Sequence, residues 1–244
     1  MNRARNNLER IREVEAVIFD LDETLIDSQQ GLKAAHIEVA DHLQKFLDEH
    51  HVTVERNTLE ETIKHVDDEM NRIVKYNRDL WWQKVVDTLC PGKRLPPRYA
   101  EKITAEYWKA YDDASVPYPD TMSTIEYLKR KDYKLGIITD DDGIVGRKRQ
   151  KILNLSFKDF FDAIVVSGDE VTERKPSPVP FLMVADKLGT SPRRCVMVGD
   201  KPFADIEGGK NAGMITILVV RRRWDASVEA DYEITTLSEL RTLL

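Results

Sequence analysis

Cysteine is scarce in this chain of 244 residues: Cys90 and Cys195 are the only two. They make no metal-ligand spacing, and two isolated thiols suit a reducing compartment. Cys195 opens an apolar run, CVMV, and reads as a small buried hydrophobe. No apolar run approaches the roughly 18 residues that a membrane-crossing helix needs. The first segment, MNRARNNLERIREVE, is too polar for a secretory signal, so a soluble cytoplasmic protein is expected. Basic charge is not in excess either. Against 43 Asp and Glu stand 37 Lys and Arg, a net charge of −6, which argues against a general affinity for nucleic acid. An anionic ligand must therefore be attracted locally, by a metal or by a few basic residues. Internal repeats and low-complexity tracts are absent.

What is present can build a sizeable core. Hydrophobic residues make up 41% of the chain, with 8 Tyr, 7 Phe and 4 Trp. Five short apolar runs recur, each ending in a polar residue: AVIF before Asp20, LGII before Thr139, DAIVV before Ser167, CVMV before Gly199 and Asp200, and ITILVV before Arg221. Runs of four to six residues rich in Val and Ile, without alternation, suit strands buried on both faces. Helical spacing fills Gly143–Leu155, Pro178–Leu188 and Phe203–Ala212 between them. The alternation predicts an α/β fold with a doubly wound parallel sheet, which binds ligands at the carboxyl ends of its strands.

The pattern breaks over 28–115, where apolar residues recur at helical spacing and no strand stands out. Helices are expected at roughly 29–49, 57–76, 78–89 and 97–112. So long a stretch between the first two strands exceeds an ordinary crossover. An inserted all-helical domain is expected there, with residues 1–27 and 116–244 forming the core.

The strongest chemical signal is VIFDLDETLID. Asp20 and Asp22, two residues apart at a strand end, project to the same side. Two carboxylates held close repel unless a cation or a shared proton lies between them. The pair suits one ionised nucleophile and one carboxyl that gives and takes a proton. In VMVGDKPFAD, Gly199 permits a sharp turn, Asp200 sits at the strand end, and Asp205 falls near the first turn of the next helix. There Asp205 is either an outer partner of a metal site or an acid stabilised by the helix dipole. Asp20 and Asp200, from two strands, could supply hard oxygen ligands to Mg²⁺. Thr139 can donate a hydroxyl to a phosphate oxygen, and Lys175, in ERKPSPVPF, supplies a point charge.

In this order the residues resemble the haloacid dehalogenase superfamily: DxDxT at Asp20–Thr24, the strand-end Thr139, KPxPxxF at Lys175–Phe181 and GDxxxxD at Gly199–Asp205. The helical insertion after the first motif is similar to that of the phosphatase-type members of subfamily I. The resemblance implies an Mg²⁺-dependent phosphatase of a small phosphorylated metabolite. Asp20 would form an aspartyl-phosphate, and Asp22 would protonate the leaving oxygen and then activate water. Thr139 and Lys175 would hold the phosphoryl group. The carboxylates of Asp20 and Asp200 and the backbone carbonyl of Asp22 would bind the metal, with Asp205 outside them. Neither nucleic acid nor membrane is an expected partner, and the state is monomer or homodimer. The alternatives are a phosphomutase with the same intermediate, a dehalogenase, which the acid at position 22 disfavours, and a catalytically silent binding protein. The chain departs from the pattern at Asp140, Asp141 and Asp142. At least two of these acids are expected to face solvent or to cap the next helix, whose GRKRQK run offers counter-charges.

Other signals weigh less. The five histidines, His36, His42, His50, His51 and His65, read as solvated surface. Trp81, Trp82 and Tyr76, with Tyr107, Trp108 and Tyr111, read as packing within the insertion. Arg221, Arg222 and Arg223, followed by Trp224, read as a solvated loop, with anion steering or a subunit contact as the sharper alternative.

Overall fold

The first apolar run forms β1 (Ala16–Phe19), and β2 (Ile26–Asp27) follows in the computed structural model, which describes residues 11–72, 77–222, 224 and 228–244. Four helices come next: α1 (Gln29–Glu49), α2 (Arg56–Arg72), α3 (Arg78–Leu89) and α4 (Pro97–Ala114). The chain continues through β3 (Val116–Pro117), α5 (Thr121–Arg130), β4 (Lys134–Asp140), α6 (Arg147–Leu153) and β5 (Ala163–Ser167). It ends with α7 (Pro178–Lys187), β6 (Cys195–Gly199), α8 (Glu207–Asn211), β7 (Ile215–Val219), β8 (Tyr232–Ile234) and α9 (Leu240–Leu243). These elements group into two compact units. One takes in the chain up to Ile26 with Pro117–Asp141 and Gly146–Leu244; the other takes in Asp27–Val116 and Asp142–Val145.

The first unit is built on one parallel sheet of six strands, in the order β5-β4-β1-β6-β7-β8. Strand β1 is central, and its alternation divides the core between the two faces. Val17 and Phe19 join one apolar cluster, with Leu135, Ile137, Val196 and Val198. Ala16 and Ile18 join the other, with Ile138, Met197 and Phe181. Because both faces are covered, the strands read as unbroken apolar runs. From β1 the chain winds outward through β4 to β5, then returns to β6 and winds the other way to β8. That reversal opens a crevice at the carboxyl ends of β4, β1 and β6, the place where such sheets bind ligands.

The sheet has an edge strand, β8, that apolar pattern does not reveal, because YEI is too short to show it. Helix α6 begins at Arg147 rather than Gly143. Gly146 adopts φ 76° before it, and Asp142–Val145 groups with the helical unit.

The second unit is helical, as its periodicity predicts, and α4 runs to Ala114. Residue Tyr76 and the end of the expected second helix lie outside the described residues. Trp81, Trp82 and Tyr107 are enclosed among Leu43, Ile63, Val85 and Ile103. The indole of Trp82 donates to the Thr104 hydroxyl at 2.8 Å, so its one polar atom is satisfied inside the unit. Among the described residues, no helix is long and apolar enough to cross a membrane.

Gly31 sets how closely α1 lies against the end of α4. A Cβ there would sit 2.2 Å from Ser115 Oγ and 2.5 Å from the Tyr111 carbonyl oxygen, and the latter is backbone that cannot rotate aside. Gly31→Ala should therefore destabilise the protein by about 1–3 kcal/mol, despite alanine's better helix propensity. Thermal unfolding checks this; an unchanged or raised Tm would contradict the close approach.

Candidate active site

The carboxyl end of β1 delivers Asp20, whose backbone N–H donates to the Val198 carbonyl of β6 at 2.9 Å. Asp20 is 2% exposed, and Lys175 Nζ donates to its Oδ1 at 2.6 Å. The same ammonium donates to Asp205 Oδ1 at 2.7 Å. Asp205 Oδ2 accepts from the Lys201 backbone N–H at 3.0 Å, so both of its oxygens are engaged. Asp205 lies in the helical turn Pro202–Ile206 that leads into α8 and folds back under β6. Gly199 makes room for it: a Cβ at 199 would come within 2.4 Å of the Asp205 side chain. One carboxylate oxygen each from Asp20, Asp200 and Asp205 lie within 4.8 Å of one another.

Burial dominates the electrostatics here. It pushes the Asp20 carboxyl above the usual range; Lys175 opposes that and Asp205 adds to it. Asp200 is pushed up to about 8 by burial, with Lys201 opposing and Asp205, Asp20 and Glu23 adding. Burial would lower the Lys175 ammonium, but Asp20 and Asp205 hold it well above its usual range. Three carboxylates against the ammoniums of Lys175 and Lys201 leave one uncompensated negative charge when all are ionised. Asp20 Oδ2 and both Asp200 carboxylate oxygens are buried and accept no hydrogen bond from the described residues. Buried oxygens without donors are costly unless a cation or a proton meets them. Hard carboxylate oxygens at this spacing fit a divalent cation such as Mg²⁺.

Asp22 is placed differently. Its carboxylate is not in that cluster but is gripped by Lys148 Nζ at 2.5 Å and Lys151 Nζ at 2.8 Å. Burial works against the charge, yet the two lysines hold the carboxyl well below its usual range. Asp22 therefore stands as an ionised carboxylate rather than a proton-bearing acid. Thr139 is the last residue but one of β4, buried, and its carbonyl accepts from the Ser167 hydroxyl at 3.1 Å.

The expectation for the acidic triplet is overturned. Asp141 and Asp142 are buried, not solvated. Asp140 accepts from the Ser167 hydroxyl and, at 3.2 Å, from the Lys175 backbone N–H. Asp141 takes a two-pronged ion pair from Arg174, Nε and Nη2 each at 2.9 Å. Helix α6 has no side-chain cap, and its lysines serve Asp22 instead. Asp140 and Arg174 thus fix the loop that carries Lys175. Lys148 and Lys151 escape a reading of sequence alone, although their i, i+3 spacing puts both on one face of α6.

The lesser signals also move. His36 bonds Asp67 at 2.6 Å and His50 bonds the Phe46 carbonyl at 2.8 Å, so neither is a purely solvated side chain. Arg221 stacks 3.7 Å over the Tyr118 ring and Arg222 lies 3.5 Å over Trp224, whose indole donates to the Asp200 carbonyl at 2.8 Å. Arg223 lies outside the described residues.

A family model described as haloacid dehalogenase-like hydrolase matches residues 17–219. The chain is 32% identical to a phosphoglycolate phosphatase of Aquifex aeolicus over 84% of each chain. It is 28% identical to a glyceraldehyde 3-phosphate phosphatase of Pyrococcus furiosus, over 96% of this chain and 94% of that one. Among solved structures, a HAD phosphatase from Thermococcus onnurineus superposes with a TM-score of 0.68 at 29% identity, covering 94% of this chain and 97% of that one.

The Asp200 carboxyl gives a signed prediction. Because folding raises it to about 8, the folded protein holds a proton there that the unfolded chain releases above about pH 4. This contribution to stability falls as pH rises through that window. In EDTA, Asp200→Asn should gain in Tm over the unsubstituted protein between pH 6 and pH 8.5. Excess Mg²⁺ should reverse the order by stabilising only the protein with Asp200. Parallel pH dependence of the two proteins in both conditions would contradict the assignment.

Proposed function

The chain belongs to the haloacid dehalogenase-like hydrolase family as a phosphoric monoester hydrolase, and from that premise we propose that it removes phosphate from a small phosphorylated metabolite with Asp20 as nucleophile and Mg²⁺ as cofactor. The observation that carries this reading is the buried group formed by Lys175, Asp20, Asp205 and Asp200, with three carboxylate oxygens lacking donors.

The Asp20 carboxylate attacks phosphorus, the bond to the leaving oxygen breaks, and an aspartyl-phosphate forms. Lys175, held between Asp20 and Asp205, offsets the charge of the transferring group, and the Thr139 hydroxyl donates to one of its oxygens. Asp20, Asp200 and the Asp22 backbone carbonyl would hold Mg²⁺, which supplies positive charge to the phosphoryl oxygens when bound. Asp205, with both oxygens engaged, positions Lys175 and the turn at Lys201 and stays outside that ligand set.

To protonate the leaving oxygen Asp22 must first take up a proton; water then attacks phosphorus and gives its proton to the Asp22 carboxylate as the bond to Asp20 breaks and phosphate leaves. Lys148 and Lys151 favour the ionised form of Asp22, which suits uptake of the water's proton and makes the protonated form the costlier one. The helical unit serves as the insertion that selects substrates by size. Two buried free thiols, Cys90 and Cys195, suit a reducing, cytoplasmic setting.

A generic aryl phosphate and a panel of phosphorylated metabolites, assayed with Mg²⁺ and with EDTA, test the reading. Turnover should require Mg²⁺ and vanish in Asp20→Asn. Asp22→Asn should either accumulate a trapped phosphoenzyme or lose turnover altogether. Full activity in EDTA, or in Asp20→Asn, would contradict it.

A further inference from the structure

The RRRW segment after β7 makes a contact that no step of the reaction calls on. Strands β6 and β7 run side by side, with Gly199 level with Leu218, so Asp200 and the segment after β7 leave the sheet at the same edge. There the Trp224 indole Nε1–H donates to the Asp200 backbone carbonyl at 2.8 Å, across 24 positions. The same peptide unit carries the Lys201 N–H, which donates to Asp205 Oδ2 at 3.0 Å. A peptide unit is planar, so bonds at its carbonyl and at its N–H together fix its rotation. Trp224 makes one of these bonds and Asp205 the other.

That rotation matters because no hydrogen bond from the described residues aims the Asp200 carboxylate itself. Asp200 is 1% exposed, and both its carboxylate oxygens are without donors. Its direction follows from its rotamer and from the peptide planes on either side of its Cα. Asp205 divides its carboxylate between this peptide and Lys175. An indole has a single polar hydrogen, and Trp224 spends it on the Asp200 carbonyl. The indole is held in its turn. Phe203, from the turn Pro202–Ile206, meets it edge-on with centroids 5.1 Å apart at 89°, and the Arg222 guanidinium lies 3.5 Å over its ring. We infer that Trp224 is a positioning residue for the metal: by anchoring the Asp200–Lys201 peptide it aims the Asp200 carboxylate at the cation shared with Asp20. This role rests on the reading of Asp20 and Asp200 as ligands of Mg²⁺. Bonds that orient a ligand from behind are worth about tenfold to a hundredfold in metal affinity.

Free Mn²⁺, counted by its paramagnetic resonance signal in titrations of the full chain, measures affinity without turnover. The binding that Asp200→Asn removes belongs to this site. Trp224→Phe keeps a ring against Phe203 and Arg222 but has no N–H, and it should weaken the Asp200-dependent binding about tenfold. Replacing the Trp224 indole by benzothiophene, which exchanges the N–H for sulfur and keeps the bicycle, should weaken it as much. In turnover of an aryl phosphate, both changes should raise the Mg²⁺ concentration for half-maximal rate by the same factor, with little change in kcat at saturating Mg²⁺. Unchanged Mn²⁺ affinity in Trp224→Phe overturns the role. So does full affinity in the benzothiophene protein, which would make ring shape and not the hydrogen bond decisive. A fall in kcat at saturating Mg²⁺ with the half-maximal concentration unchanged also overturns it. Mn²⁺ binding that is equal in Asp200→Asn brings down the metal reading and this role together, whereas Asp200-dependent binding that ignores Trp224 brings down this role alone.

Discussion

Lys175 shares one ammonium between Asp20 and Asp205, at 2.6 and 2.7 Å, with its side chain 2% exposed. Taking three charges out of water costs several kcal/mol each, and their mutual attraction recovers that only where geometry is good and the remaining lone pairs find partners. Asp205 meets that condition through the Lys201 backbone N–H. Asp20 and Asp200 do not meet it among the described residues, because three of their oxygens accept nothing. The centre is thus half complete as a structural salt bridge, and the incomplete half is the part that can take a cation and a phosphoryl group.

The rest of the core unit serves this placement. The parallel sheet brings β1, β4 and β6 side by side, so that residues 20, 139 and 200 emerge at one edge. Gly199 leaves the space that Asp205 fills, and the Ser167–Asp140 and Arg174–Asp141 contacts anchor the loop that brings Lys175 in. Asp22 stands apart on its own pair of lysines. Two neighbouring acids on one short segment are thereby given opposite surroundings, one pushed toward its protonated form and the other away from it. Taken alone, these surroundings run against the division of work, since the nucleophile needs its ionised form and the proton carrier its protonated one; a divalent cation on Asp20 would favour the ionised nucleophile.

Strands β1, β4, β5, β6 and β7 were legible because burial on both faces leaves continuous apolar runs that no surface segment of this chain imitates. Helices α1 and α3 were legible from spacing and from their polar flanks. The motif acids could be read as a group because each directly follows a strand. What could not be read depends on contacts distant in sequence. Lys148 and Lys151 bond Asp22 across 126 and 129 positions, and nothing local to α6 marks them as other than a basic helix start. The acidic triplet looked solvent-facing because its partner, Arg174, is 33 positions away. Arg78 lies in an aromatic stretch that reads as packing, and its hydrogen bond to the Asp142 carbonyl spans 64 positions.

The central claim is that Asp20 and Asp200 jointly hold one divalent ion beside Lys175. Anomalous diffraction from crystals grown with Mn²⁺ in place of Mg²⁺ tests it directly. The account predicts a peak within about 2.3 Å of a carboxylate oxygen from each of Asp20 and Asp200. A peak only at the Glu38, His42 and Glu106 group of the helical unit, with none between Asp20 and Asp200, would contradict it.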